Sequence, residues 1–436
     1  MLVEFRVENH RSLRDEQALS MEAAVRDEGD AQPQDGVANP QYLPVAALYG
    51  ANASGKSNLL SALGFMRDAV VHSHRLWPPD EGVPRDPYAW GPKRDASSFF
   101  EAVFMIDGVR HEYGFVIDDS RILEEWLHVW PLGRKQMWFE RDRDDFKFGE
   151  NLKGENRLSS KITRENGLFL SAAVQNRHEQ LVPVFRWFRR LRVFNIAGGP
   201  PPSTPFAFVE AVSRALMREP TQLSLFHDNA SEERTARSAQ STRLEAFRAL
   251  LRAADASIVD FRIESEAQEE LSGALVPYNR KKPRFRMYFQ HKNSIADAWL
   301  PLEQESNGTK QLVGLAPHLL DALSHGSLLV IDELERSFHP LLALFLVQTF
   351  NCPKLNPQNA QLIFSTHDTN LLGTTLGEPA LRRDQIWLTE KDDDGSTRVY
   401  PLTDFKPRKA ENLERGYLQG RYGAIPFLGN IDLIGK

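Results

Sequence analysis

The segment Gly50–Ser57, with the sequence GANASGKS, has residue types and a spacing suited to binding phosphate groups. It matches the pattern GxxxxGK(S/T), in which glycines let successive backbone N–H groups curl around phosphates. Lys56 would bring a positive charge to the β and γ phosphates of a nucleotide, and the Ser57 hydroxyl could ligate Mg²⁺. A plain glycine turn is the alternative. The apolar run PVAALY before the segment and the helix-like stretch after it favour a phosphate-binding loop.

Two acidic residues follow a buried-strand pattern in Ser327–Glu333, which reads SLLVIDE. At the end of a parallel strand beside the phosphate loop, Asp332 would hold Mg²⁺ through water, and Glu333 would be the general base for the attacking water. A strand can also simply end in solvated carboxylates. The phosphate loop upstream favours the catalytic interpretation.

Two further motifs flank these acids in the chain. In Glu305–Leu312, ESNGTKQL, a Ser-x-Gly turn opens a helix-like segment. Ser306 and Gly308 could therefore present a hydroxyl, backbone N–H groups and the helix dipole to a phosphate, with an ordinary helix N-cap as the alternative. His367 follows the strand-like QLIFS, at the edge where α/β sheets bind ligands, so it could sense the γ-phosphate. A structural turn residue is the alternative for His367.

The composition excludes several classes of protein. The 436 residues suffice for one large domain or two to three smaller ones, and 41% of them are hydrophobic. A net charge of -6 argues against a generally basic nucleic-acid coat. The single cysteine, Cys352, cannot form an internal disulfide and is typical of a reducing compartment. The N-terminus alternates like an edge strand and lacks a signal-peptide block, and no apolar run approaches the ~18 residues of a membrane span, so we expect a cytoplasmic protein.

The middle of the chain carries weaker signals. Alternation over Phe99–Ile117 and Ile122–Phe148 predicts antiparallel strands, while Leu181–Ser257 predicts helices broken by GGPPPSTP at Gly198–Pro205. The acidic run Asp392–Asp394 could mimic metal ligands, but it separates strand-like QIWLTEK from STRVYPL and favours a hairpin turn.

Two basic clusters are candidate contacts for nucleic acid or acidic partners. One lies in the aromatic-rich segment Phe185–Phe194 and the other in Arg280–Arg286. Charge of this kind is more often a solvated face than a binding site, so nucleic-acid binding stays one of two interpretations.

The order of the motifs resembles that of ABC-type ATPases: phosphate loop, Ser-x-Gly helix cap, strand ending in Asp-Glu, and strand ending in histidine. In particular the chain is similar to the branch with GxNxSGKSN loops, DELExSxHP after the acidic strand, and SxGT in place of LSGGQ. That branch includes the RloA and AbiLii-like proteins of prokaryotic antiphage defence loci, with Septu PtuA and the overcoming-lysogenization-defect ATPases as relatives. The resemblance covers the chain up to about Arg75 and from about Leu302 onward, including the tail GYLQGRYGAIPFLG.

The resemblance implies ATP and Mg²⁺ as ligands and assigns roles residue by residue. The positions that it places around the nucleotide are Gly50, Asn52, Ser54, Gly55, Lys56, Ser57 and Asn58, with Ser57 and Asp332 at the metal. Catalytic roles fall to Glu333, His367 and Lys56, and Arg11 in VENHRSL falls at a nucleotide-contacting turn. Ser306 and Gly308 would act across a dimer, and Phe338 would lie in the D-loop that crosses to the partner. Gln175, after a strand-like GLFLS, is one of several candidates for the Q-loop.

Two departures from the family pattern concern the signature region. The sequence SNGTK is degenerate, and Pro317 interrupts the helix that follows it, which removes one backbone donor.

The resulting expectation is an α/β fold: an ABC-type P-loop ATPase head with an antiparallel β subdomain and an inserted, mainly helical region. The predicted divisions are residues 1–180 for the N-terminal part of the ATPase core, 181–257 for the helical insertion, and 258–436 for the C-terminal part of the core.

The functional expectation is an ATPase that binds two ATP molecules in a head-to-tail homodimer. Resemblance adds a role as sensor or regulator of a separate, nuclease-type effector in antiphage defence. The alternative is a DNA-clamping repair ATPase similar to SMC and RecF proteins, which DNA-stimulated hydrolysis would favour. A transporter subunit is a third class, against which the large insertion and the degenerate signature argue.

Overall fold

The fold was analysed in a computed structural model, which describes residues 1–24, 42–194, 205–217, 229–266, 284–292, 298–336, 339–374, 377, 379–408 and 411–426. Two compact units are present. The first comprises Met1–Ala197, Ala322–Glu335 and Ala343–Lys436, and the second comprises Gly198–Asp321 and Arg336–Leu342. Among the described helices, none combines the length and the apolar character needed to cross a membrane.

The described strands and helices alternate along the chain. The strands are β1 (Leu2–Glu8), β2 (Gln17–Ser20), β3 (Val45–Gly50), β4 (Ser98–Ile106), β5 (Val109–Ile117), β6 (Ile122–Trp130), β7 (Gln136–Asp142), β8 (Asp145–Phe148), β9 (Arg192–Phe194), β10 (Ile258–Glu266), β11 (Arg284–His291), β12 (Trp299–Pro301), β13 (Leu328–Ile331), β14 (Gln361–Ser365), β15 (Ile386–Lys391) and β16 (Thr397–Pro401). The helices are α1 (Lys56–Leu76), α2 (Asn156–Ile162), α3 (Phe169–Gln175), α4 (Val182–Arg190), α5 (Pro205–Met217), α6 (Asn229–Ala254), α7 (Asn307–His325), α8 (Pro340–Asn351) and α9 (Leu413–Leu418).

A six-stranded sheet of the first unit carries the motifs found in the sequence. Within the described residues its order is β16-β15-β3-β14-β13-β9, and all neighbours are parallel except β15 and β16. Every residue of β3, β13 and β14 is buried, as expected for parallel strands covered on both faces. The carboxyl ends of these strands meet at one edge, because Leu48 pairs with Ser365 and Ile331 pairs with Phe364.

A seven-stranded antiparallel sheet forms the other layer of the first unit. Among the described strands its order is β2-β1-β4-β5-β6-β7-β8, which confirms the antiparallel strands predicted over Phe99–Phe148. Both sheets contribute to one hydrophobic cluster, which includes Leu48 and Val330 from the parallel sheet and Phe100 and Phe115 from the antiparallel one. The α/β fold with an antiparallel β region is thereby confirmed.

The N-terminal strand is not an edge strand, and that prediction is wrong. β1 lies between β2 and β4, because the chain turns back after it and Gln17–Ser20 pairs along its outer side. The alternation of β1 reflects one face on the core, with Phe5 and Val7 fully buried, rather than an exposed edge.

The segment GLFLS is also not a strand, since Phe169–Gln175 is helix α3. The reason lies in a distant residue. The Glu125 carboxylate, fully buried on β6, accepts hydrogen bonds from the backbone N–H groups of Phe169 at 2.6 Å and Leu170 at 3.0 Å. Such a carboxylate satisfies the free N–H groups of a helix N-terminus.

The second unit combines helices with a small sheet. Its described strands have the order β10-β11-β12, and Phe247 of α6 packs edge to face on Phe261 of β10, 4.7 Å between ring centroids. Helix α7 continues through Pro317, so the proline does not end it. The division at residues 180 and 257 stays a prediction.

The buried Glu125 should be a major contributor to the stability of the first unit. It also accepts from the Tyr113 hydroxyl at 2.9 Å and lies 3.8 Å from the guanidinium of Arg141, whose side chain is 1% exposed. We expect Glu125→Ala to lower the free energy of unfolding by about 3–5 kcal/mol, because it leaves a buried cation and several donors without their acceptor. Chemical denaturation at neutral pH measures this loss.

The matched control is Glu124→Ala, which removes the neighbouring, exposed carboxylate of the same strand. It should change the free energy of unfolding by no more than about 0.5 kcal/mol. Equal effects of the two substitutions would contradict the role given to Glu125.

Candidate nucleotide-binding site

The loop between β3 and α1 can form only with glycine at two positions. Gly55, directly before α1, has a φ of 107°, in the region that favours glycine. A Cβ atom at Gly55 would collide with the Thr397 hydroxyl, and one at Gly50 would collide with the hydroxyl of Thr389. The backbone therefore curls tightly in front of the N-terminus of α1, as an anion cradle requires.

Lys56 lies in the centre of this loop. Its side chain is only 5% exposed, and its ammonium group donates to the carbonyl oxygens of Gly50 at 2.8 Å and Ala51 at 3.0 Å. Burial lowers the pKa of Lys56 to about 8, although the carboxylates of Glu335, Asp332 and Glu333 oppose this shift.

The two acids that follow β13 are held by Ser57 and Ser365. The Ser57 hydroxyl donates to Asp332 Oδ1 at 3.0 Å, and the Ser365 hydroxyl donates to the same oxygen at 2.5 Å. Glu333 has a φ of 53°, which is unusual for a residue with a side chain. Its backbone N–H donates to Ser365 Oγ at 2.8 Å, so that hydroxyl holds both acids in place.

His367 stands at the carboxyl end of β14, as predicted. Its backbone N–H donates to Glu335 Oε1 at 2.7 Å, and Asp368 caps the short turn that follows by accepting from the N–H of Asn370. Burial lowers the pKa of His367, and the charge of Lys56 adds to this, so the imidazole is neutral at pH 7. A neutral imidazole can donate one hydrogen bond and accept another.

Hydroxyl groups behind the loop were not recognised in the sequence. Ser54 bonds Thr389 at 2.6 Å, and Thr397 donates to the carbonyl of Ser54 at 2.8 Å. Ser12 bonds Thr397 at 2.7 Å and accepts from the Asn58 amide at 2.6 Å. These residues belong to the β15–β16 hairpin and to the turn after β1, and no local pattern marks them. Glu335 was missed for a different reason, because only the first two acids of DELE have family roles.

The other predicted residues have different surroundings. Asn52 is exposed at the tip of the loop. Arg11, with a φ of 50°, forms an ion pair with Asp86, 2.7 Å between Nε and Oδ2. In the second unit, Ser306 precedes α7 and accepts from the N–H of Thr309 at 3.1 Å, which is the geometry of a helix N-cap, and Gly308 lies in the first turn. No side-chain contact of Gly308 defines a role by itself.

Several sequence predictions concern residues outside these motifs. Phe338 and Arg280–Pro283 lie outside the described residues. The hairpin prediction for Asp392–Asp394 is confirmed, since β15 and β16 pair antiparallel around it. Asp392 and Asp394 both pair with Arg14, which explains the acidic run without a metal.

The residues present fit a Mg²⁺ ion bound together with nucleotide phosphates. Within the described part of the chain, no group of three or more His, Cys, Asp or Glu could hold a metal alone. Mg²⁺ in phosphate-transfer sites commonly takes one or two protein oxygens and completes its shell with phosphates and water. Ser57 and Asp332 provide two such oxygens. The buried Glu335 Oε2 has no hydrogen-bond partner among the described residues, so it can accept from a bound water.

A buried strand, a glycine-lined loop closed by Lys56 and Ser57, and an Asp-Glu pair on a nearby parallel strand define the class of P-loop ATPase domains. The family model described as "AAA domain, putative AbiEii toxin, Type IV TA system" matches residues 45–373. This match spans more than half of the chain, and the chain belongs to that family. No curated protein matches the sequence.

Solved structures with some likeness include three heads of SMC proteins. An SMC head domain from Thermotoga maritima is 13% identical, with a TM-score of 0.39, over 92% of this chain and 98% of that one. An SmcHead bound to the C-winged helix domain of ScpA is 12% identical, with a TM-score of 0.45, over 92% and 96%. An Smc head with an extended coiled coil, bound to a ScpA domain derived from Pyrococcus furiosus, is 12% identical, with a TM-score of 0.41, over 92% and 97%.

The close packing at Gly50 gives a direct test of the loop geometry. A Cβ at this position would meet the Thr389 carbonyl oxygen at 2.5 Å and the Ser54 hydroxyl at 2.6 Å. We expect Gly50→Ala to lower the free energy of unfolding by about 1–3 kcal/mol, because the hairpin would have to shift. Thermal and urea unfolding without ligand would measure this.

Gly167→Ala is the matched control, since its new Cβ would find its nearest neighbour, the Arg164 carbonyl oxygen, at 3.8 Å. It should lie within about 0.5 kcal/mol of the native protein. If Gly50→Ala is equally harmless, the tight contact between the loop and the hairpin is wrong.

Proposed function

We propose that this protein binds ATP with Mg²⁺ and hydrolyses it. One observation carries the proposal: the Ser57 hydroxyl meets Asp332 at 3.0 Å, beside the buried ammonium of Lys56. In this arrangement a triphosphate lying on the loop would have Lys56 at its β and γ phosphates and the two metal-binding oxygens next to it.

Each residue around the loop has a defined task in the proposal. Mg²⁺, when bound, would neutralise phosphate charge. Lys56 holds the phosphates, and the N–H groups from Gly50 to Asn58 line their path, with Asn52 at the open side. Glu333 accepts a proton from the attacking water, and its unusual backbone, fixed by Ser365, aims the carboxylate. His367 hydrogen-bonds the γ-phosphate. Arg11 would have to leave Asp86 to reach the nucleotide.

Two copies are proposed to share the nucleotides in a homodimer. In this scheme Ser306 and Gly308 of one copy contact the ATP of the other, as the resemblance to ABC-type ATPases implies. The exposed Ser306, at the N-terminal end of the 19-residue helix α7, supports this, because its hydroxyl and the first free N–H groups of α7 can face a phosphate.

The biological setting is proposed from resemblance. The GxNxSGKSN loop and the DELExSxHP motif support placing the chain with RloA and AbiLii-like ATPases, as a cytoplasmic sensor or regulator of a separate nuclease-type effector. The words "toxin" and "TA system" in the family description support a system with more than one component. The DNA-clamping alternative predicts stimulation by DNA and is separated from this role by the experiment below.

Removing the proposed base should stop hydrolysis without preventing binding. We expect Glu333→Gln to lower ATP turnover by at least about 100-fold, because the attacking water loses its proton acceptor. Mg-ATP should still bind, and the variant should accumulate as a dimer. Turnover assays and light scattering with and without ATP measure both effects, and double-stranded DNA is added in parallel.

The control is Glu150→Gln, the same substitution at an exposed glutamate far along the chain from the motifs. It should keep the native rate. Normal turnover in Glu333→Gln would show that the mechanism is wrong, and a DNA-stimulated native rate would favour the DNA clamp over the effector regulator.

The lowered pKa of Lys56 predicts a proton linkage in binding. Above pH 8 the free protein has largely lost the Lys56 proton, whereas bound phosphates favour the ammonium form. Nucleotide binding should therefore take up a proton at pH 9, and affinity should fall as pH rises above about 8, by up to about tenfold per unit. The sign for stability is the opposite: without nucleotide, this group makes the free energy of unfolding rise with pH from about 8 to about 10.4.

Calorimetric titration with Mg-ADP at pH 9, in two buffers of different ionisation enthalpy, measures the proton uptake. Lys56→Met should abolish it, while Lys354→Met, at an exposed lysine, should retain it. Uptake that persists in Lys56→Met would assign the proton to another group.

A further inference from the structure

The chain segment Leu413–Ala424, here called the tail segment, packs on the same unit as the phosphate loop. It comprises helix α9 and the turn after it. Leu413, Tyr417, Tyr422 and Ala424 are all at most 8% exposed. The first three line one apolar pocket together with residues of the parallel sheet and its loops, which are Leu372, Ile386, Leu388 and Leu402. The tail segment is therefore an integral layer of the unit.

One contact of the tail segment reaches the start of the phosphate loop. The Tyr417 ring lies edge to face on Tyr49, the residue before Gly50, with 5.7 Å between centroids. The Tyr417 hydroxyl donates to the Ala424 carbonyl at 3.1 Å and accepts a hydrogen bond from the Gly50 backbone. Burial raises the pKa of Tyr417 to about 12, so this hydroxyl remains protonated throughout the physiological range.

A second contact reaches the loop that carries His367. The Glu414 carboxylate accepts from the Thr369 hydroxyl at 3.1 Å, and it lies so close to Gly373 that a Cβ there would collide with Oε2. Thr369 is only two residues beyond His367. Between these positions, the Tyr49 hydroxyl donates to the Asp368 carbonyl at 3.0 Å, which links the two loops directly.

We propose that the tail segment positions the phosphate loop and the His367 loop relative to each other during ATP hydrolysis, with Tyr417 and Glu414 as its positioning residues. This inference rests on the proposed ATPase function and deepens it. Tyr417 acts through Gly50, whose carbonyl also holds the Lys56 ammonium, and Glu414 acts through the turn that follows His367. Neither tail residue contacts the reacting atoms.

The geometry predicts a loss in turnover rather than in binding. Misplacement of a positioned group weakens the transition state more than the ground state. Tyr417→Phe keeps the ring on Tyr49 and removes only the hydroxyl, so we expect kcat to fall about tenfold while KM for ATP stays within about twofold.

Tyr422→Phe is the matched control. It removes a hydroxyl from the same segment, but that hydroxyl donates to Glu411 at 2.9 Å and contacts neither loop. Both variants should lower the unfolding midpoint to a similar extent, and only Tyr417→Phe should lower kcat. Equal kcat values in the two variants would overturn the role of Tyr417.

A double-mutant cycle tests the contact between Glu414 and Thr369. Glu414→Ala and Thr369→Val should each lower kcat about three- to tenfold, and the double variant should be no slower than the slower single one, since both remove the same hydrogen bond. Glu414→Gln retains an oxygen that can accept from Thr369 and should restore most of the rate. Multiplicative losses, or no rescue by glutamine, would show that the carboxylate does not act through Thr369.

Measuring Glu333→Gln alongside separates the two levels of the proposal. If Glu333→Gln is inactive and all tail variants keep the native kcat, the positioning role is wrong and the ATPase function stands. If Glu333→Gln turns over at the native rate, the proposed function is wrong, whatever the tail variants do.

Discussion

The hydrogen bond between Ser57 and Asp332 joins segments that are 275 residues apart, and the rest of the candidate site depends on it. Its short length requires the carboxyl ends of β3, β14 and β13 to lie at the same level, which the parallel register provides. Ser365, on the strand between them, bonds the same aspartate and also the backbone of Glu333. A slip of one residue in any of the three strands would turn these side chains to opposite faces of the sheet.

The site also balances unequal charge. Three carboxylates, on Asp332, Glu333 and Glu335, act electrostatically on one buried ammonium, that of Lys56. A triphosphate would add further negative charge to this group. Binding is therefore favourable only if a divalent cation enters with the phosphates, and the pair of oxygens on Ser57 and Asp332 is where it would fit. The proposed need for Mg²⁺ thus follows from the charges of the protein as much as from those of the nucleotide.

The sequence predicted the parts of the site that consist of contiguous motifs. The loop around Lys56, the strand before Asp332 and the strand before His367 are local patterns, and the structure has the predicted strand or helix at each of them. It did not predict Ser12, Thr389 or Thr397, because single hydroxyls in distant segments leave no periodic signal. Nor did it predict α3, whose N-terminus is held by Glu125 from another strand. Propensity cannot anticipate a helix whose start is fixed by a tertiary hydrogen bond.

The position of β3 in the sheet has a consequence for synthesis of the chain. Both neighbours of β3 come from far downstream, β14 and β15, and the Thr389 hydroxyl that bonds the Tyr49 carbonyl follows 340 residues later. At about 5–20 residues per second, the ribosome needs roughly 15–70 s to make that stretch. For that time the apolar strand VAALYG has neither of its native neighbours. Nascent chains of this protein should therefore depend on chaperones that shield exposed strand edges until β15 has emerged.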